Sequence, residues 1–132
     1  MKTPFFWPVR VYYEDTDAGG VVYYANYLKF FERARTELLR SLGFDLLQLQ
    51  QQQRLLFVVR SIQVDYLKSA RLNDLLQVSA TLSEAKKTRF TLMQAVSREA
   101  EILCRAEVRI ACIDADEFKP KLIPLQILEQ LP

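Results

Sequence analysis

The sequence contains no histidine. Nucleophilic sites of the Ser-His-Asp or Cys-His type need an imidazole base, so the sequence excludes both. A protein zinc site is also disfavoured, because such sites use imidazole or several thiolates as ligands. We therefore expect no metal site, and we expect any chemistry to depend on carboxylates, hydroxyls, amines and the backbone.

Cysteine is scarce, with two residues in the chain, Cys104 and Cys112. They lie an even number of residues apart in a segment that alternates as a strand does, so both side chains should point to one face. Two residues that far apart on one strand cannot form a disulfide with each other. We interpret them as reduced thiols of the core.

Long apolar runs are missing near the start of the chain. The most apolar stretch there, residues 5–7 between two prolines, is too short for a signal-peptide core or a membrane-spanning helix. Charge is balanced, with 18 Lys and Arg against 16 Asp and Glu, which predicts no binding to nucleic acid or to an anionic membrane. The 132 residues suit one domain, residues 1–132, and we expect it to be cytoplasmic.

Hydrophobic periodicity predicts one long helix and five strands. Apolar residues at spacings of three and four indicate a helix over residues 27–42, which Gly43 would end. Alternation with a period of two indicates strands at residues 8–14, 56–66, 75–84, 88–98 and 102–113. Residues 46–53 are interpreted as a polar helical turn or an exposed loop, and residues 125–131 could form a short helix.

The order of these elements predicts the fold class. Short connections between the later strands favour an antiparallel sheet, so we expect an α+β fold with the long helix packed on the apolar face of the sheet. In the last strand, Ile102 and the residues at even spacing after it should face the core. One helix cannot cover such a sheet and its edges, which predicts that a second copy of the chain buries the rest.

Acidic and polar residues are concentrated between the first predicted strand and the helix, at residues 14–17. Gly19 and Gly20 follow at once, and glycine lets the backbone approach a ligand closely. The start of a helix presents free N–H groups and a positive dipole end, which suit a polarised carbonyl. A carboxylate facing such donors could take a proton from water or attack the carbonyl. The same pattern fits Asp15 and Asp17 as turn organisers or, with less support, an oxygen-ligand metal loop.

Residues 10–27, RVYYEDTDAGGVVYYANY, together with FERARTE at residues 31–37, resemble the signature of the 4-hydroxybenzoyl-CoA thioesterase family. Residues 57–60 and 65–74 also match, and the resemblance is strongest to the Tol-Pal-associated acyl-CoA thioesterases within that family. It implies a hot-dog fold, in which the sheet wraps around the long helix. It also implies a homodimer or a dimer of dimers (a tetramer) with active sites between subunits.

The resemblance further implies the reaction and its residues. Asp17 would be the catalytic carboxylate, acting as general base or as nucleophile, and the backbone N–H of Tyr24 would polarise the thioester carbonyl. The substrate would be an acyl-CoA or an acyl-carrier-protein thioester, with no separate cofactor. A link to the Tol-Pal envelope system follows from the resemblance alone.

Tyr24 departs from the subgroup pattern. Tol-Pal-associated members usually carry histidine there, whereas the aromatic-substrate thioesterases of the family resemble this chain in having tyrosine followed two residues later by asparagine, here Asn26. The alternatives are therefore an aromatic acyl-CoA thioesterase, or a non-catalytic acyl-binding or scaffold protein of an envelope complex. A hot-dog hydratase is disfavoured, because those enzymes generally pair a histidine with an acid.

A basic turn lies between two predicted strands. Its residues Lys86, Lys87 and Arg89 are predicted contacts for the phosphates of CoA, because ammonium and guanidinium groups suit that charge. A solvated hairpin turn explains the same residues equally well. Arg60, expected on the strand face of Ile62 and Val64, needs an acidic or phosphate partner that the sequence does not identify.

Overall fold

The structure, a computed structural model, describes residues 3–132. In chain order its elements are β1 (Phe5–Arg10), a 3-10 helix (Tyr13–Asp15), α1 (Asn26–Ser41), α2 (Leu46–Gln53), β2 (Leu55–Tyr66), β3 (Leu75–Ala85), β4 (Arg89–Arg98), β5 (Glu101–Asp114) and α3 (Leu125–Gln130). The predicted long helix and the number of strands are therefore confirmed, and four of the five strands lie where they were predicted. Residues 46–53, interpreted as a helical turn or a loop, form the helix α2.

The strands form one antiparallel sheet in the order β1-β3-β4-β5-β2. β3, β4 and β5 follow one another through short turns, which leaves β1 and β2 on opposite edges. β2 is 12 residues long and pairs with β5 alone in the described structure. The sheet thus ends in a long free edge.

The helix α1 lies on the inner face of the sheet. Its buried residues recur at spacings of three and four, and they are Tyr27, Phe30, Phe31, Ala34, Leu38 and Leu39. Complete burial of a large apolar side chain stabilises a fold by about 1.5–3 kcal/mol, so this stripe is sufficient to fix the helix against the strands. The helix ends before Gly43, whose φ of +91° is a conformation that favours glycine. This is the α+β hot-dog arrangement that the sequence predicts.

The predicted first strand is wrong in its position. It runs over Phe5–Arg10, and beyond it Val11 N–H donates to the carbonyl of Asp74, just before β3, at 2.9 Å. The carboxylate of Asp15 accepts the Tyr12 N–H at 2.8 Å and winds the next residues into the 3-10 helix. A side chain therefore overrides the alternating pattern of residues 8–14.

The predicted inward position of Ile102 is also wrong. A bulge shifts the register between β4 and β5, where Val96 pairs with Cys104 and Ser97 pairs with Ile102. The extra residue, Leu103, is fully buried, whereas Ile102 is 44% exposed. From Cys104 onward the predicted alternation holds.

Cys104 and Cys112 are buried and not bonded to each other, as predicted. Burial raises the pKa of Cys104 to about 12 and that of Cys112 to about 11, because a thiolate is poorly solvated in the core. Both thiols are therefore protonated and unreactive at neutral pH. Among the helices of residues 3–132, none is long and apolar enough to cross a membrane.

Candidate active site

The loop that carries Asp17 is a tight turn between two bridged positions, Thr16 and Val22. Asp17 N–H donates to the carbonyl of Val21 at 2.9 Å, and Gly20 N–H donates back to the carbonyl of Asp17 at 3.0 Å. Gly20 has a φ of +80°, which this turn requires and which a side chain would disfavour. The loop is therefore held mainly by its own backbone.

The Asp17 carboxylate has one anchored oxygen and one open oxygen. Its Oδ1 accepts the Gly19 N–H at 2.8 Å. A Cβ at Gly19 would stand 3.2 Å from that oxygen, so glycine is what permits this approach. Within residues 3–132, no donor is recorded for Oδ2, and the side chain is exposed. The second oxygen is thus available to a water molecule or a substrate.

Asp15 has a different role from Asp17. Its side chain caps the 3-10 helix through Tyr12, and its carbonyl oxygen accepts hydrogen bonds from Tyr23 N–H and from Asn26 Nδ2, each at 2.9 Å. It therefore ties the loop to the beginning of α1. Asp15 is the turn organiser of the pair, one of the readings that the sequence left open.

The turn that leads into α1 offers an N–H group for which residues 3–132 supply no acceptor. Asn26 N–H donates to the carbonyl of Tyr23 at 2.8 Å, but for Tyr24 N–H no acceptor is recorded in the described part of the chain. This N–H lies at the positive end of the helix dipole, where a developing negative charge is stabilised. It is suited to polarise a carbonyl oxygen.

The Tyr24 side chain is 61% exposed and belongs to an aromatic cluster with Tyr23 and Tyr66, at centroid distances of 4.9 and 6.1 Å. The hydroxyl of Tyr66, at the end of β2, donates to the Tyr24 carbonyl at 3.0 Å. The neighbouring Tyr24 side chain raises the pKa of Tyr23, and the negative charge of Asp17 raises it further. Asp17, Tyr23 and Tyr24 therefore lie on one surface.

The basic turn lies at the other end of the sheet. Lys86, Lys87 and Arg89 form the hairpin between β3 and β4, which closes through Lys86 N–H and the carbonyl of Arg89 at 2.8 Å. β3 begins beside the Asp17 loop. Its 11 residues run away from that loop and span about 30 Å. Within one chain, the structure does not bring the basic turn to Asp17.

Arg60, for which the sequence identifies no partner, and Arg109 of β5 join the basic turn. A polar cavity of about 360 Å³ is lined by Arg60, Lys86, Arg89 and Arg109, and also by Glu84, whose carboxylate lies 3.5 Å from Lys86 Nζ. The cavity is on the outer face of the sheet, because Arg89 and Arg109 alternate with buried inward residues. Lys87 does not line it.

The cross-strand register explains why this cluster is not visible in the sequence. Arg109 pairs with Thr91 on one side and with Ser61 on the other, and Arg60 is the extra residue of a bulge between Val59 and Ser61. The bulge breaks the alternation that predicts Arg60 on the face of Ile62. The sequence shows outward-pointing arginines in separate strands, but not which of them become neighbours.

Comparison with known proteins gives a consistent family. The profile of the thioesterase-like superfamily matches residues 11–131. The acyl-CoA thioesterase YbgC of Haemophilus influenzae is 49% identical over 127 residues, which cover 96% of this chain and 93% of that protein. The Asp17 loop and the residues of the basic cavity all lie within residues 11–131.

Solved structures agree with this comparison. A probable thioesterase from Bartonella henselae has a TM-score of 0.88 and 37% identity, over 92% of this chain and 100% of that chain. A 1,4-dihydroxy-2-naphthoyl-CoA thioesterase from Synechocystis has a TM-score of 0.89 and 26% identity, over 97% of this chain and 95% of that chain. The similarity thus extends over nearly the full length of each protein.

Proposed function

The chain belongs to the thioesterase-like superfamily, and from this membership we propose that it is an acyl-CoA thioesterase with Asp17 as its catalytic carboxylate. The observation that carries the residue assignment is that, among residues 3–132, one carboxylate oxygen of Asp17 has no donor and the nearby Tyr24 N–H has no acceptor. A thioester carbonyl held by that N–H would face the carboxylate. The reaction as proposed uses water as its co-reactant and requires no cofactor.

As a general base, Asp17 Oδ2 takes a proton from water while the water oxygen attacks the thioester carbon. The carbonyl oxygen becomes an oxyanion, which the Tyr24 N–H and the dipole of α1 stabilise. The C–S bond then breaks, and the sulfur leaves with the proton as free CoA thiol. As a nucleophile, the carboxylate instead attacks the thioester carbon and expels CoA thiolate, which leaves a mixed anhydride; water then hydrolyses the anhydride to the free acid and the Asp17 carboxylate, and the proton released protonates the thiolate.

A second copy of the chain is part of the proposal. A long free edge strand such as β2, with Val58, Val59 and Ile62 exposed, is an unpaired template that proteins normally cover. Antiparallel pairing of two β2 strands around a two-fold axis would place the Tyr66 end of one strand beside the Leu55 end of the other. The homodimer, alone or as half of a tetramer, would then complete each active site.

The same pairing supports a role for the basic cavity. It would place the Asp17 loop of one subunit at the end of the sheet where the other subunit carries Arg60, Lys86, Arg89 and Arg109. Four cations around a polar cavity suit the phosphates of CoA, while the pantetheine arm reaches the thioester to Asp17. Lys87, which the sequence also predicts as a phosphate contact, is placed less favourably.

An aromatic acyl group is the second candidate substrate. The Tyr24 and Asn26 pattern favours it, and so does the similarity to the naphthoyl-CoA thioesterase of Synechocystis. An acyl-carrier-protein thioester, a link to the Tol-Pal system and a cytoplasmic location stay predictions that rest on the sequence. A non-catalytic acyl-binding or scaffold protein is the alternative outside enzymes.

An assay of thiol release tests the proposal. Short, long and aromatic acyl-CoAs, together with acyl-carrier-protein thioesters, are incubated with the purified chain while free thiol is measured. We expect steady turnover of at least one CoA thioester and loss of that turnover in Asp17→Asn. Binding of acyl-CoA without hydrolysis of any substrate would contradict the proposal and favour the binding-protein alternative.

A further inference from the structure

A second cavity lies on the inner face of the sheet, between the second half of α1 and the strands next to the free edge. Its volume is about 160 Å³. Most of its lining is apolar, and six of the apolar residues are buried, namely Leu38, Leu39, Phe90, Leu92, Ile110 and Leu131. An engineered apolar cavity of about 150 Å³ binds benzene, so this one has room for about six carbon atoms.

One cation stands in the wall of this apolar cavity. Arg35 is half-buried, and its Nη1 donates to Oε1 of Gln94 at 2.9 Å. Gln94 is 2% exposed and is itself fixed, because its Nε2 donates to the carbonyl of Phe31 at 3.1 Å. These two hydrogen bonds hold the guanidinium in one position against the cavity.

The charge of Arg35 is not neutralised within the chain. Among residues 3–132, no carboxylate forms an ion pair with it, and Glu32, the acid that also lines the cavity, is exposed. Burial lowers the pKa of Arg35, and the nearby Glu32 only partly opposes that shift. A desolvated guanidinium with spare donors is best stabilised by an oxygen acceptor or an anion.

The position of the cavity relative to Asp17 identifies its occupant. Arg35 lies nine residues beyond the start of α1, about 14 Å along the helix, and the packed core around Phe30 separates it from the Asp17 of its own chain. Phe57 and Val59, which also line the cavity, belong instead to the Leu55 half of β2, which lies beside the Tyr66 end of the partner's β2 in the proposed dimer. The cavity would therefore open toward the partner subunit's Asp17.

We propose that this cavity holds the acyl group being hydrolysed at the partner subunit's Asp17, and that Arg35 selects acyl groups with an oxygen acceptor at their distal end. The proposal rests on the proposed function and deepens it. The apolar walls accept the carbon chain, up to about six carbons, and the guanidinium binds a terminal carboxylate or other oxygen. Arg35 is thus a specificity-determining residue and takes no part in bond breaking.

The test compares acyl groups of equal carbon number. Succinyl-, glutaryl- and adipoyl-CoA carry a terminal carboxylate, and butanoyl-, pentanoyl- and hexanoyl-CoA carry a methyl group in its place. For each pair, kcat/KM is measured in the wild type and in Arg35→Met, which keeps the length of the side chain but removes its charge and donors. At the length that fits best, we expect the carboxylate-to-methyl ratio to fall tenfold or more in the variant, because a charge-assisted hydrogen bond is lost.

Two further variants keep the test decisive if Arg35→Met folds poorly. Gln94→Glu places a carboxylate beside Arg35 and neutralises it, so the preference for terminal carboxylates should fall. Glu32→Gln removes the neighbouring negative charge, so that preference should rise. Octanoyl- and decanoyl-CoA should be hydrolysed much less efficiently than hexanoyl-CoA in every protein that folds.

The outcomes separate this proposal from the proposed function. An unchanged carboxylate-to-methyl ratio at all three lengths, in both the Arg35 and the Gln94 variant, would overturn the role of Arg35 while turnover continues. Equal turnover of decanoyl- and hexanoyl-CoA would overturn the cavity as the acyl site. Wild-type activity in Asp17→Asn would instead overturn the proposed function.

Discussion

Replacement of Asp17 by asparagine should abolish most turnover without unfolding the protein. The anchored oxygen is preserved, because the amide oxygen of asparagine can still accept the Gly19 N–H that Asp17 Oδ1 accepts at 2.8 Å. A hydrogen bond to a charged group becomes one between neutral groups, and the site is exposed, so stability should change by no more than about 1 kcal/mol. The loop backbone, which holds itself, should keep its conformation.

The open oxygen is the part that the substitution removes. An amide can neither accept a proton from water at neutral pH nor attack a carbonyl as a carboxylate does. Positioned base catalysis supplies about 10²–10⁴-fold, so kcat should fall by at least that factor. The N–H of Tyr24 is untouched, so the KM for an acyl-CoA should change much less than kcat.

Asp15→Asn is the matched control, because it makes the same chemical change two residues away. Its amide oxygen can still accept the Tyr12 N–H, and its carbonyl contacts with Tyr23 and Asn26 are unaffected. We expect kcat to stay within about tenfold of the wild type, an effect of about 1.4 kcal/mol on the barrier. The difference between the two variants therefore isolates the open carboxylate oxygen.

Release of CoA thiol can be followed with a chromogenic thiol reagent, because both cysteines of the protein are buried and give little background. Thermal unfolding of each variant confirms that the fold is intact. Equal losses in the two variants would mean that the carboxylate has been misassigned. Full activity in Asp17→Asn would refute the carboxylate mechanism.

Three further predictions concern the phosphate site, the dimer and Tyr24. Lys86→Ala combined with Arg89→Ala should raise the KM for acyl-CoA several-fold with little change in kcat, and the effect should shrink at high salt because exposed phosphate contacts are screened. Ile62→Lys, on the free edge of β2, should dissociate the oligomer in sedimentation experiments and lower activity, because a charge on an edge strand opposes pairing. Tyr24→Phe should keep kcat within about tenfold of the wild type, because the proposed contribution of Tyr24 is its backbone N–H and not its hydroxyl.

Each of these predictions has a control within the chain. Lys119→Ala removes an exposed lysine outside the basic cavity and should leave KM unchanged. If the variant with both Lys86→Ala and Arg89→Ala also keeps the wild-type KM, residues 86–89 are only a solvated turn. Met93→Lys places a lysine at a 41% exposed position of a strand that is paired on both sides, so the oligomer should persist. A wild-type chain that is a stable, active monomer at micromolar concentration would contradict the dimer. Loss of activity in Tyr24→Phe with an intact fold would give the hydroxyl a role.

Local sequence patterns were sufficient to predict most of the elements and the loop that carries the candidate carboxylate. A period of 3.6 or of two is a local property, so α1 and four of the five strands were predictable to within one or two residues at their ends. The end of β1 was not, because the Asp15 side chain and the turn at Asp74 redirect the chain at Val11. The sequence also contained Asp17, Tyr24 and the basic turn, but left open which aspartate organises the loop.

Which of these side chains become neighbours depends on the three-dimensional packing of the elements. The cross-strand register assembled Arg60 and Arg109 with the basic turn, and the packing of α1 on β4 placed Arg35 against Gln94 beside an apolar cavity. Bulges in β2 and β5 shifted side chains from one face to the other, which no period of two can indicate. These neighbours are separated by tens of residues along the chain, and only the pairing of strands and the docking of the helix bring them together.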